Sequence, residues 1–202
     1  MSQKTIPIAI LAGGKSRRMG RDKAFVELAG TPMIQWVITA VAQCSRTAFI
    51  ISNEPEKFTS FGLPVYPDVI PGMGPLSGLH TAFAVTGADR VMIAPCDSPL
   101  VSPDAIKLIL DYPDGGAEAA IPFVDGREQG MLAVYARSGI ERYAERIASA
   151  SIMFDEFRLG LDRIFITEDE LRKVEPDLRS FLNMNTPADI EMAIRKLPQT
   201  HV

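Results

Sequence analysis

The sequence predicts an α/β fold in three layers, a mostly parallel sheet with helices on both faces. Three observations carry this. Short, wholly apolar runs recur at Ile8-Ala9-Ile10, Ala48-Phe49-Ile50-Ile51 and Val91-Met92-Ile93-Ala94, each too short for a helix. Stretches with apolar residues at helical spacing separate them. Strands apolar at every position suit a sheet buried on both sides, which is the condition of parallel strands covered by helices.

Each element has a local reason. Ile8 to Ile10 is the first strand. Thr31-Pro32 predicts a helix start, with Thr31 as N-cap and Pro32 in the first turn, and Met33, Trp36, Val37, Ala40 and Val41 follow at helical spacing. Trp36 reads as core. Ala48 to Ile51 is the second strand and ends at Ser52-Asn53; Val65-Tyr66 is a short third strand closed by Pro67-Asp68. The turn-rich Ile70 to Pro75 precedes a helix with Leu76, Leu79 and Phe83 on one side. Val91 to Ala94 is a central strand running into Pro95-Cys96-Asp97-Ser98-Pro99. Ser102-Pro103 opens a helix with Ile106, Ile109 and Leu110 facing inward.

Ala119 to Pro122 and Met131 to Tyr135 read as later strands, with the polar Asp125 to Gly130 between them. Ser138 and Glu141 have capping-box spacing for a helix carrying Ile140, Tyr143, Ala144 and Ile147. Between Ser149 and Pro176 the signals weaken: Phe154, Phe157 and Leu161 suggest a helix, and Arg163 to Ile166 a strand. Thr186-Pro187 opens the last helix, whose buried stripe is Ile190, Ala193, Ile194 and Leu197, and the tail after Pro198 is expected to be loose. No linker, charge run or repeat divides the 202 residues, so one domain spanning 1–202 is expected.

The net charge of −4 argues against a nucleic-acid or membrane-surface role, both of which show as basic excess. Cys44 and Cys96 lack metal-type spacing and read as reduced thiols. No apolar run is long enough to cross a bilayer and the first thirty residues lack signal-peptide character, so a cytoplasmic location is expected.

Against that acidic background one stretch stands out: Leu11-Ala12-Gly13-Gly14-Lys15-Ser16-Arg17-Arg18-Met19-Gly20-Arg21-Asp22-Lys23, with three glycines and five cations directly after a strand. Glycine lets a ligand approach the backbone without meeting a Cβ, a row of amides can cradle phosphate, and Arg and Lys complement its charge. Gly14-Lys15-Ser16 does not complete a Walker A loop, because position 9 is Ala9. A dinucleotide fingerprint from Gly13 fails at Lys15 and Arg18.

The loop resembles the signature of nucleotidyltransferases that join a nucleoside monophosphate to a phosphorylated acceptor. Its Gly-Gly pair, Arg-Arg-Met-Gly and Asp-Lys look most like molybdenum cofactor guanylyltransferases of the MobA type. Pro71-Gly72-Met73-Gly74-Pro75-Leu76-Ser77-Gly78, Pro95-Cys96-Asp97-Ser98-Pro99 and Asn183-Met184-Asn185-Thr186-Pro187 match further segments of that family.

The resemblance implies a Rossmann-like nucleotidyltransferase fold. It also implies transfer of GMP from GTP to the terminal phosphate of molybdopterin, giving the guanine dinucleotide cofactor and pyrophosphate. Arg18, Lys23 and Asp97 are then the catalytic residues. Leu11, Ala12, Gly13, Gly14, Lys23, Asn53, Asp68, Gly74, Pro75, Leu76, Gly78 and Asp97 bind the nucleotide, with Ser52 as an alternative to Asn53. Asp97 holds Mg²⁺, and Asn183 and Asn185 face the acceptor or the metal's waters. The implied partners are GTP, molybdopterin, cofactor-biosynthesis proteins and acceptor molybdoenzymes.

Residue by residue, plainer readings stand beside these. Asp97 and Asp68 follow strands and suit turns, and Asn185 suits an Asx turn before a Thr186 cap. Cys96 is a small spacer without a histidine to activate it; His80 reads as packing. A related transferase using CTP or another phosphorylated acceptor keeps the chemistry, although cytidylyl relatives have Ala-Ala-Gly where this chain has Ala12-Gly13-Gly14. A non-catalytic carrier of GTP or cofactor is the other alternative. One departure bears on the acceptor: where the family often has a His-Pro pair, this chain has Gln129-Gly130 before Met131.

Overall fold

The computed structural model describes residues 6–13, 22–113, 115–182, 184 and 187–196. Gly14, Arg18, Asn183, Asn185 and Thr186 lie outside the described residues, as does Leu197.

The chain opens with β1 (Ile8–Leu11), then a 3-10 turn at Lys23–Phe25 and a two-residue hairpin of β2 (Glu27–Leu28) and β3 (Thr31–Pro32). That hairpin corrects one expectation. Thr31 does not cap the next helix: Thr31 and Pro32 are held extended against Leu28 and Glu27, and α1 (Met33–Ala42) begins one residue later with no side-chain cap. Next come β4 (Ala48–Ile51), a 3-10 segment at Pro55–Phe61, β5 (Val65–Tyr66), α2 (Pro75–Thr86) and β6 (Arg90–Pro95). In α3 (Pro103–Asp111), Ser102 caps as expected, its Oγ accepting from Ala105 N at 3.1 Å.

β7 (Ala119–Val124) turns through Asp125-Gly126, both at positive φ, into β8 (Arg127–Glu128), an Asp-Gly turn that matches the strand twist. Then follow β9 (Ala133–Ala136), α4 (Arg137–Arg142), α5 (Ala144–Ala148), α6 (Phe154–Leu159), β10 (Arg163–Ile166), α7 (Glu168–Val174) and α8 (Pro187–Lys196). The expected Ser138–Glu141 capping box does not form. Pairing of Ala136 with Arg90 carries the extended chain up to position 136, which becomes the N-cap and leaves Ser138 inside the helix.

Among the described residues the main sheet has eight strands in the order β10-β7-β9-β6-β1-β4-β5, with β8 on β7. Its pairs are parallel except those of β9, which runs against both β6 and β7, and the β7–β8 hairpin. The three-layer expectation holds, because alternate residues of one strand enter different cores. Ile8 and Ile10 pack with Ile50, Met92 and side chains of α1, α3 and α7. Ala9 and Leu11 pack with Phe49, Ile93 and side chains of α2, α5 and α6. A smaller cluster of Leu28, Met33, Leu100, Met184 and Ala193 seats α8 against the β2–β3 hairpin, with Trp36 packed on it.

Candidate active site

The strand order places the site. β1 lies between β4 and β6, so the chain leaves β1 toward one side and later returns to the other. Such a reversal opens a crevice at the carboxyl ends of the strands. The loops after β1, β4, β5 and β6 share that edge, since these strands are parallel. Backbone bonds extend the ladder past the strand ends: Ala12 N donates to Ile51 O (2.9 Å), Ser52 N to Tyr66 O (3.0 Å) and Cys96 N to Leu11 O (3.2 Å).

A cleft of about 670 Å³ occupies this edge. Leu11, Ala12 and Gly13 form one wall, Asn53 and Asp68 another, and Gly74, Pro75 and Gly78 a third. A pocket of about 190 Å³ continues from Leu11, Ala12, Gly13, Asp22 and Pro75 to Lys23 and Asp97. Of the sequence-predicted nucleotide residues that are described, all but Leu76 line this one surface. Leu76 is fully buried among Leu79, Phe83 and Phe49, because it sits on the inward face of α2.

At the deeper end Lys23 Nζ lies 3.1 Å from Asp97 Oδ2, with side chains 18% and 34% exposed. Asp22 positions the lysine: its Oδ1 accepts from Ala24 N at 3.1 Å and so caps the 3-10 turn that Lys23 begins. Cys96 is partly exposed, and burial of its thiol with Asp97 and Asp22 nearby pushes its pKa far above the ordinary thiol range. It is therefore a poor nucleophile, as the sequence reading expected. Neither cysteine is in a disulfide.

At the wide end Asn53 and Asp68 brace each other. Asn53 Nδ2 donates to Asp68 Oδ2 (2.8 Å), and Asp68 N donates to Asn53 Oδ1 (2.9 Å). Asn53, not Ser52, makes this pair; the Ser52 hydroxyl accepts from Glu54 N at 3.2 Å. The third wall hangs from α2. Thr81 Oγ1 accepts from Val69 N (2.9 Å) and Ser77 Oγ from Met73 N (3.1 Å), which ties residues 69–73 to the helix. Gly74, at φ 61° and ψ −135°, turns the chain through a conformation an L side chain resists. The helix then starts at the cleft without a side-chain cap, so its positive end lies at the cleft wall. Ser52, named from sequence as the alternative to Asn53, also lines the cleft, as do Asp22 and Gly72, which lie within matched segments but were given no role of their own. Glu54 lines it too and had no sequence signal.

A cleft at the strand-order reversal that ends in a cation and a carboxylate suits a bound nucleoside triphosphate, the arrangement of an α/β transferase of such nucleotides. The chain belongs to the family of the MobA-like NTP transferase domain, whose model matches residues 8–154. A protein of Pelotomaculum thermopropionicum named "Probable molybdenum cofactor guanylyltransferase" is 30% identical over 184 residues, 91% of this chain and 89% of the relative. One of the same name from Clostridium perfringens strain SM101 is 32% identical over 193 residues, 93% and 96% of the two chains. Among solved structures, the molybdopterin-guanine dinucleotide biosynthesis protein A of Archaeoglobus fulgidus superposes with a TM-score of 0.80 at 26% identity, covering 95% of this chain and 98% of that one.

Proposed function

We propose that this protein transfers GMP from GTP to the terminal phosphate of molybdopterin-bound molybdenum cofactor, releasing pyrophosphate. Membership of the family supports the reaction class, and the names of its relatives support the acceptor. The observation that carries the reading is the Lys23–Asp97 pair at the end of the nucleotide cleft.

In this reading the guanine and ribose occupy the wide cleft. The backbone of Leu11, Ala12 and Gly13 lies along the base, and the Asn53–Asp68 pair stands at the opposite wall. The triphosphate runs toward Lys23, and Arg18 and Gly14 are assigned to it from the family motif alone. An oxygen of the acceptor's terminal phosphate attacks the α-phosphorus in line. A new P–O bond forms, the bond from the α-phosphorus to the bridging oxygen breaks, and its electron pair leaves with pyrophosphate. No general base is needed, because the attacking phosphate is already ionised at neutral pH. Lys23 and Arg18 offset charge as it builds on the leaving group. Asn183 and Asn185 are assigned to the acceptor side.

The residues present fit Mg²⁺. Among the described residues no group of three or more His, Cys, Asp or Glu forms a metal cage. Asp97 instead offers one hard carboxylate where the phosphates would arrive, with Asp22 lining the same pocket. One or two carboxylates plus substrate phosphates is the usual Mg²⁺ donor set. When bound, the ion would neutralise phosphate oxygens and polarise the α-phosphorus.

Residues 1–202 act as one catalytic domain in this reading. The free thiols suit a cytoplasmic setting, and among the described residues no helix is long and apolar enough to cross a membrane. Cofactor-biosynthesis proteins and acceptor molybdoenzymes are the partners that the product implies.

The test is to incubate the protein with Mg²⁺, purified molybdopterin and each of GTP, CTP and UTP, measuring pyrophosphate and product mass. The expected result is a GMP adduct with GTP alone. A CMP adduct would reassign the nucleotide, and nucleotide binding without pyrophosphate release would mark a carrier.

A further inference from the structure

Beside the catalytic pocket lies a groove of about 320 Å³, lined by Pro75, Met131, Met153 and Phe154 with the polar Glu128, Asp155 and Arg158. It shares Pro75 and Met131 with the pocket that holds Lys23 and Asp97, so a molecule with its phosphate at Asp97 can extend into it. This is also where the sequence departs from the family pattern, at Gln129-Gly130.

Gly130 shapes the groove by what it lacks. A Cβ there would stand 2.5 Å from Arg158 Cδ, 3.2 Å from Arg158 Nε and 3.2 Å from Tyr135 Oη. The Gly130 peptide is also fixed, since the buried Tyr135 hydroxyl donates to its carbonyl at 2.8 Å. The arginine therefore lies across the space a side chain at 130 would fill. Its guanidinium forms an ion pair with Glu128, and both side chains are nearly buried, at 14% and 15% exposure. Arg163 steadies this pair, with Nη2 at 3.7 Å from Glu128 Oε1 and Nη1 donating to Arg158 O at 2.8 Å. Asp155 Oδ1 accepts from Arg158 Nη2 at 3.4 Å at the solvent rim.

We propose that Arg158, seated over Gly130 and paired with Glu128, is a specificity-determining residue for the acceptor, meeting the part of that molecule remote from its reacting phosphate. The acidic partners balance the two arginines, so the groove does not select a second polyanion. Methionine and phenylalanine walls, a flat guanidinium and the Asp155 carboxylate at the rim suit a flat heterocycle that carries N–H donors. The inference rests on the transfer reading above and adds the residues that discriminate the acceptor.

Steady-state transfer with molybdopterin, together with equilibrium GTP titration without acceptor, tests it on wild type, Gly130→Ala, Arg158→Ala and Arg158→Lys. The clash in Gly130→Ala falls on a flexible side chain, so that variant is expected to fold with Arg158 displaced. Acceptor KM should rise about tenfold in Gly130→Ala and Arg158→Ala, the scale of a lost charge-assisted contact, while GTP affinity stays within about twofold. Arg158→Lys should recover part of the loss. Unchanged acceptor KM in the folded variants overturns the assignment, as does a parallel fall in GTP affinity, which would mark a structural role. A wild-type protein that transfers no GMP to molybdopterin removes the underlying reading, and the inference with it.

Discussion

Lys23 Nζ rests 3.1 Å from Asp97 Oδ2 although 74 residues separate them, so the loop after β1 and the loop after β6 meet through opposite charges. Partly exposed pairs of this kind add little to stability, at most about 1 kcal/mol. The cost of keeping them is small, and the consequence of losing them lies in chemistry. Asp97→Asn preserves size and removes the charge. Pyrophosphate release should fall by at least about a hundredfold, the scale of a lost electrostatic group in a site of this type. Thermal denaturation should move by only a few degrees. Lys23→Met should lose activity together with GTP affinity. Near-normal turnover in Asp97→Asn would remove Asp97 from the mechanism.

The reciprocal hydrogen bonds of Asn53 and Asp68 join the ends of β4 and β5. Asn53→Ala breaks both bonds and frees one wall of the cleft. GTP affinity should weaken by about tenfold with kcat changed much less, the pattern of lost ground-state binding. Asn53→Asp keeps the shape but sets one carboxylate against another, so at neutral pH it should bind GTP more weakly than the alanine variant. Equal affinity of the two variants would show that the pair is not set by charge.

Gly78 and Leu11 are matched in volume, because a Cβ on Gly78 would stand 2.8 Å from Leu11 Cδ2. Gly78→Ala gains helix propensity worth about 1 kcal/mol but overpacks a buried contact at about 1–3 kcal/mol, so packing wins. Chemical denaturation should show a net loss of about 1 kcal/mol. Since Leu11 also lines the cleft, GTP affinity should fall with it. The double variant with Leu11→Ala should be less destabilised than the sum of the two single changes, a coupling that a double-mutant cycle reads directly.

His80 on α2 has its Nδ1 buried without a hydrogen-bond partner among the described residues. Burial lowers its pKa below the ordinary 6.5, so the folded chain prefers the neutral ring. In the window below 6.5 the unfolded chain binds the proton more readily, and stability must decline as pH falls toward the folded pKa. Denaturation midpoints recorded downward from pH 7 should show this decline, with a shallower slope in His80→Gln. An identical slope in both proteins would place the acid sensitivity elsewhere.

Much of this site was legible because strand ends announce themselves. Ile8–Leu11, Ala48–Ile51 and Arg90–Pro95 each carry an unbroken apolar run that stops at a polar or glycine-bearing turn, and those turns line the cleft. The Gly74-Pro75 start of α2 was also readable, since proline suits a first helical turn. What escaped was set by pairing and not by local pattern. Thr31-Pro32 looked like a helix start but is consumed by a hairpin with Glu27-Leu28. Ser138 and Glu141 have capping-box spacing, yet the working box belongs to Thr167 and Glu170 at the head of α7, in the stretch whose signals seemed weakest. There Glu170 Oε2 accepts from Thr167 N at 2.9 Å. Leu76 matched a nucleotide-contacting segment, but the helix rotation sends it into the core. Register along a matched motif does not fix the direction of each side chain.

The reversed strand β9 has one more implication. The segment between β7 and β9 reaches the cleft edge as a hairpin tip, whereas β4 and β6 are reached through the helices α1 and α2, whose packing supports the sheet. A hairpin tip can change sequence or length without unsettling a helix behind it. Divergence among descendants of this scaffold should therefore accumulate at this hairpin, leaving the loops after β1, β4 and β6 as inherited.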